Sequence, residues 1–144
     1  MAYDLVCQHF RVLAEIVASE GGAIVKTIGD AVMATFPTPD RALAAALRMR
    51  EAMSRINVER KNEDLLLKIG IHEGPCLAVV LNETQDYFGQ TVNIAARVQG
   101  LASSRAIFVT KSIVDDQNSQ KILETFGLQS INSAQRCAAS ATRL

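Results

Sequence analysis

Apolar side chains recur at helical spacing through Val6, Phe10, Leu13 and Val17, which predicts an amphipathic helix over residues 3–19 that stops near Gly21-Gly22. Two β-rich runs follow, over residues 23–28 and 31–36, separated by Gly29-Asp30, and this pattern predicts a hairpin. Simple alternation in the first run sets Ile24, Lys26 and Ile28 on one face, with Val25 and Thr27 on the other. Pro37-Thr38-Pro39-Asp40 is a turn that also opens a second helix, over residues 41–59, with Leu43, Ala46, Leu47, Met49 and Met53 along it. Beyond a charged loop at 60–64, residues 65–71 read as a strand whose partner, across a turn at Gly74-Pro75, lies at 78–81. An acid and an aromatic turn at Asp86-Tyr87-Phe88-Gly89 lead into a third helix, on which Asn93 and Arg97 share a face while Val92, Ala95, Ala96 and Leu101 pack the other side. A buried strand at 106–109 and a short helix from Thr110, its N-cap, to about Asp116 close the legible pattern. The order is α-β-β-α-β-β-α-β before that short helix, with no internal repeat and no low-complexity segment.

Composition narrows the class. The 144 residues, 49% of them hydrophobic, are enough for one core and leave no room for a second. Fifteen basic and fifteen acidic side chains cancel to a formal charge of zero, which argues against a dedicated nucleic-acid or membrane-surface binder. Seven aromatics and no tryptophan weaken any base-stacking role. No apolar run reaches the length of a membrane span, and no secretory pattern opens the chain. Cys7, Cys76 and Cys137 are odd in number, widely spaced and without a Cys-x-x-Cys pair, so free thiols in a reducing cytoplasm are expected.

Candidate chemistry gathers in two places. On the third helix, Asn93 and Arg97 are four residues apart; a neutral amide beside a permanent cation suits a hydroxyl held next to a phosphate, while the plain alternative is a solvated helix face. In the hairpin, Lys26 between two isoleucines either snorkels at a sheet edge or meets something polar. Asp30 at the tip is a turn former or, equally, a hard oxygen ligand for magnesium.

Taken in order, these segments resemble the class III nucleotidyl cyclases, the adenylate and guanylate cyclase catalytic domains. The matching text is Gly21-Gly22, then Lys26-Thr27-Ile28-Gly29-Asp30-Ala31-Val32-Met33-Ala34, then Ile69-Gly70-Ile71-His72-Glu73-Gly74, then residues 86–97, over roughly residues 1–116. The resemblance implies an α+β fold, a ferredoxin-like antiparallel sheet with helices packed on one face, here without the family's opening strand. It also implies conversion of ATP to 3′,5′-cyclic AMP and pyrophosphate, a phosphorus–oxygen lyase reaction in cyclic-nucleotide signalling. Lys26 and Asp86 match the two positions that recognise adenine, Asn93 the ribose-orienting amide, Arg97 the arginine at the pentavalent phosphorus, and Asp30 one of two metal aspartates, for magnesium or manganese. The expected assembly is a head-to-tail homodimer, or a heterodimer with another cyclase chain, each site drawing on both chains.

The match is not uniform. The family's other metal aspartate lies in a Phe-x-Asp-Ile-like segment ahead of the first helix, and residues 1–144 contain no counterpart, Asp4 included. Residues 129–144 lack the usual Lys-Gly hairpin and show no strand alternation, so a catalytic domain over 1–128 and an atypical tail are expected. A non-catalytic nucleotide-binding or dimerisation module is the alternative function. His72 at a strand end is expected to be structural, Cys76 to bind no metal, Arg48, Arg50, Arg55 and Arg60 to form a solvated face, and Met33, Met49 and Met53 to fill the core. Tyr87 and Phe88 line the nucleotide pocket or pack at a dimer seam.

Overall fold

The computed structural model describes residues 2–28, 31–60, 67–74, 77–81, 84–88, 90–101, 107–127, 131–132 and 141–143. Helix α1 (Ala2–Ser19) buries Leu13, Ile16 and Val17. It ends because Gly21, at φ 74°, turns left-handed, and the amides of Gly21 and Gly22 donate to the Ala18 and Val17 carbonyls at 3.1 and 2.9 Å. The chain then enters the predicted hairpin, β1 (Ala23–Ile28) antiparallel to β2 (Ala31–Thr35).

One expectation fails inside β1. A bulge between Ile24 and Lys26 pairs Ile24 with Ala34 but Lys26 with Met33. Adjacent residues of β2 point to opposite faces, so Ile24 and Lys26 do too, instead of sharing a face. Val32 packs on the helical core, which leaves Met33, and Lys26 opposite it, on the other face of the hairpin.

Helix α2 (Pro39–Arg60) begins with proline at its first position and Asp40 in its first turn, both suited to a helix N-terminus. It runs between two cores. Leu43, Ala46 and Leu47 join Ile71, Ile107, Val109, Ile113 and Leu123 on one side. Ala45, Ala52, Met53 and Ile56 join Leu13 and Ile16 of α1 on the other. Leu43, Ala44, Ala45, Ala46 and Leu47 are consequently buried without a break. Of its arginines, Arg55 is exposed as expected, while Arg48 and Arg50 are only partly so. Arg48 donates to Glu20 at 2.9 Å and to the Ser19 hydroxyl at 2.6 Å, Arg41 reaches Glu20 at 3.4 Å, and burial pulls the pKa of Arg50 down against the opposing influence of Glu51.

The second half departs further from local reading. Strand β3 (Ile69–Ile71) does not pair with β4 (Leu77–Leu81); β4 pairs antiparallel with β5 (Thr84–Phe88), and Asp86 therefore stands on a strand, not in a turn. After α3 (Gln90–Leu101), strand β6 (Ile107–Thr110) lies parallel to β3, a pairing that needs a crossover, which α3 supplies. Helices α4 (Lys111–Asp115) and α5 (Gln117–Thr125) follow, the second not foreseen. Asp116 caps α5 by accepting from the Ser119 amide at 2.9 Å. Strands β7 (Ile131–Asn132) and β8 (Ala141–Arg143) complete a sheet of order β3-β6-β8-β7, with β8 antiparallel to β6, although no alternation marks them in the sequence. The α+β, ferredoxin-like class holds; β3–β6 is its one parallel pair among the described residues.

Candidate functional site

Helix α3 meets β3 at Gly70 and the segment just beyond that strand at Gly74. A Cβ on Gly70 would fall 2.6 Å from the Gln99 Cα and 2.8 Å from its Cβ, and closer still to its amide nitrogen. A Cβ on Gly74 would fall 2.6 Å from the Thr91 hydroxyl. Thr91 and Gln99 are eight residues apart, about 12 Å along a helix axis. Gly70 and Gly74 are four apart, at most about 13 Å if the chain between them were fully extended. Gly70 meets the last turns of the helix and Gly74 its first, so the helix lies back along this segment with a glycine contact near each end. Val98 is fully buried between these contacts.

The opposite face of α3 is exposed and carries both Asn93 and Arg97. Ala96, expected on the packed side, is exposed with them, because the buried stripe runs through Val98. Lys26 is half-buried on β1. Asp86 stands opposite Val79 in the β4–β5 pair. Strand β1 lies against β5, and β5 against α3. The fold therefore makes neighbours of the three elements that carry Lys26, Asp86, and Asn93 with Arg97. Asp30 lies outside the described residues, as do Cys76 and Gly89.

An amide, a lysine, a carboxylate and an arginine on adjoining elements form a set suited to a nucleotide: directional groups for a base edge and a fixed cation for phosphate. Among the described residues no three His, Cys, Asp or Glu side chains gather to hold a metal. A carboxylate of the Asp30 type is a hard oxygen donor that fits magnesium or manganese when substrate phosphates supply the remaining ligands. Clefts of about 390 and 480 Å³ lie instead along α1 and α2, lined among others by Arg48, Arg50 and Arg55 with Glu15 and Glu51. Neither cleft is lined by a residue of α3.

His72 is engaged, as a structural histidine should be: its Nδ1 lies 2.9 Å from the Thr110 hydroxyl. Burial lowers its pKa, with Glu73 pulling the other way. Thr110 does occupy the N-cap position of α4, but its side chain makes no capping bond there. Neither this bond nor the seats at Gly70 and Gly74 is apparent from local pattern. The one sequence signal is a glycine interrupting the apolar alternation Ile69-Gly70-Ile71, a mark of close backbone approach.

Comparison with known proteins identifies the family. The Adenylate and Guanylate cyclase catalytic domain family matches residues 1–134. An adenylate cyclase from Anabaena cylindrica is 31% identical over 141 residues, covering 88% of this chain and 28% of that protein. Guanylate cyclase 32E from Drosophila melanogaster is 31% identical over 100 residues, covering 61% of this chain and 9% of that one. In fold, the chain is similar to the crystal structure of an adenylate/guanylate cyclase/hydrolase from Silicibacter pomeroyi, with a TM-score of 0.78 at 24% identity, covering 99% of this chain and 83% of that one. The chain spans about a quarter of the length of the first two relatives it matches, 28% and 27%. No helix among the described residues is long and apolar enough to cross a membrane. With a ferredoxin-like sheet and a family match over nearly its whole length, this chain belongs to the adenylate and guanylate cyclase catalytic domain family.

Proposed function

We propose that the chain is an adenylate cyclase catalytic domain that turns ATP into 3′,5′-cyclic AMP and pyrophosphate, acting in the cytoplasm. The observation that carries the choice of base is the adjacency of β1, bearing Lys26, and β5, bearing Asp86. A lysine donates to adenine N1 and a carboxylate accepts from the exocyclic amine. Guanine presents the reverse pattern at that edge and would leave both groups facing like partners. Asn93 orients the ribose, and Arg97 meets the charge that grows on the α-phosphate. The ribose 3′-oxygen forms its bond to the α-phosphorus as the bond to pyrophosphate breaks, and the hydroxyl proton leaves to solvent. No side-chain nucleophile is required. Magnesium or manganese, held by Asp30 together with the phosphates, would supply charge neutralisation and a lowered hydroxyl pKa.

Exposure of Asn93 and Arg97 on α3 supports a site completed by a second chain, either another copy or a different cyclase. Asp30 would serve the opposite site of such a dimer. Calorimetry in calcium tests the base preference: ATP is expected to bind more tightly than GTP, and Lys26→Glu to erode the difference. Equal or tighter GTP binding by the unmodified protein overturns it. Because residues 1–144 supply one matched metal carboxylate, little cyclic AMP is expected from them alone. Mixing with a complete homologous cyclase, inactivated at its residue equivalent to Arg97, is expected to restore turnover that Arg97→Ala abolishes. No rescue in a heterodimer shown to form would favour the non-catalytic module.

A further inference from the structure

Strands β3 and β6 are paired in register through Ile71 and Val109. One residue further the strand pairing stops: β6 passes into α4 at Lys111, and His72 leaves β3. At this step the two segments are joined by side chains, His72 Nδ1 to Thr110 Oγ1 at 2.9 Å. Thr110 is only 4% exposed. A threonine at an N-cap ordinarily turns its oxygen to the helix amides. Here the hydroxyl goes to His72 instead, with the Ser112 hydroxyl 3.4 Å away.

The location of this bond gives it a further consequence. His72 lies midway between Gly70 and Gly74, the two residues on which α3 rests. Gly70 is held by the β3–β6 pairing, whereas Gly74 lies three residues past the end of β3. Gly74 in turn abuts Thr91, in the first turn of α3 and two residues ahead of Asn93. We propose that the His72–Thr110 hydrogen bond is a clasp that positions α3, fixing residues 72–74 beneath its first turn and thereby setting where Asn93 and Arg97 stand. Its effect on substrate rests on the reading of α3 as the nucleotide helix; its effect on the helix does not.

The test is amide hydrogen exchange on the whole 144-residue protein, with ATP binding in calcium measured alongside. His72→Ala and Thr110→Val each remove the bond, the second with little change of shape. Each is expected to speed exchange across residues 90–97 by about threefold to tenfold, while the buried centre of α2 stays unchanged. Thr110→Ser keeps the hydroxyl, and His72→Asn keeps a nitrogen near the Nδ1 position, so both are expected within about twofold of the unmodified protein. The double variant His72→Ala/Thr110→Val is expected to exchange no faster than either single one, since both delete the same interaction. Unchanged exchange in α3, or uniform acceleration of α2 and α3 together, overturns the clasp and leaves an ordinary stabilising contact. Failure of the unmodified protein to bind ATP would overturn the nucleotide reading and leave the exchange result to decide the clasp.

Discussion

Gly70→Ala places one methyl group where β3 and α3 touch. The new carbon would lie 2.6 Å from the Gln99 Cα, and carbon atoms pack comfortably at about 3.5–4.0 Å. The obstacle includes helix backbone, which cannot rotate aside as a long side chain can. Relief therefore requires α3 to retreat from β3 by about 1 Å. Overpacking of this kind costs about 1–3 kcal/mol. For a domain of this size that is a fall in melting temperature of about 3–9 °C. The same shift moves Asn93 and Arg97, since both ride on the helix. A misplacement of about 1 Å commonly reduces turnover on the order of a hundredfold. Differential scanning calorimetry reads the first effect, and the mixed-dimer cyclic AMP assay reads the second. Gly100→Ala serves as the control, because a Cβ there meets nothing within 4 Å. If Gly70→Ala melts with the unmodified protein and complements equally well, α3 is not seated on β3 as described.

Three further outcomes are expected. Asp116→Ala removes the cap of α5 and should cost about 0.5–2 kcal/mol in urea denaturation, with Asp116→Asn retaining most of the stability. Glu20→Ala releases Arg41 and Arg48 from the end of α1; because those arginines are 56% and 43% exposed, the loss should be about 1 kcal/mol or less, and it should shrink in high salt. His72 has a lowered folded-state pKa, so the unfolded chain binds its proton first as pH falls. Its destabilising effect is thus absent at neutral pH, appears as pH drops below about 6.5, and is complete once pH passes below the folded value. Denaturation at pH 7.5 and 5.5 should show a larger acid loss for the unmodified protein than for His72→Asn, and equal losses would contradict the assignment.

What was legible in the sequence was local. Helices α1, α2 and α3 and the β1–β2 hairpin follow from periodicity within a few turns, and the four-residue spacing of Asn93 and Arg97 suffices to put them on one exposed face. The pairing of β3 with β6 depends on residues far apart in the chain, and nearness in sequence wrongly favours β4. Strand β5 holds Thr84, Gln85 and Asp86, so its polar start and the glycine after Phe88 read as a turn. Helix α5 opens on five polar residues, Gln117 to Lys121, which hide its apolar face from a periodicity reading. The bulge in β1 leaves every residue type compatible with alternation and is visible only through its partner strand. The adjacency of β1 and β5, which carry Lys26 and Asp86, has no local signature at all, and only the family resemblance points to it.

The unbroken burial from Leu43 to Leu47 bears on how this domain can vary over time. A surface helix offers evolution two or three neutral positions per turn; this stretch offers none. Ala45 cannot grow without pressing towards α1, nor Ala46 without pressing towards the sheet, and the flanking leucines cannot shrink without opening a cavity. Any single change would displace one of the two layers relative to the other, and the layers carry different parts of the proposed site. Drift at this centre should therefore occur as paired replacements, one on α2 with a compensating change across either interface. In a deep mutational scan, these five positions should be the least tolerant block in the chain even though none approaches a substrate.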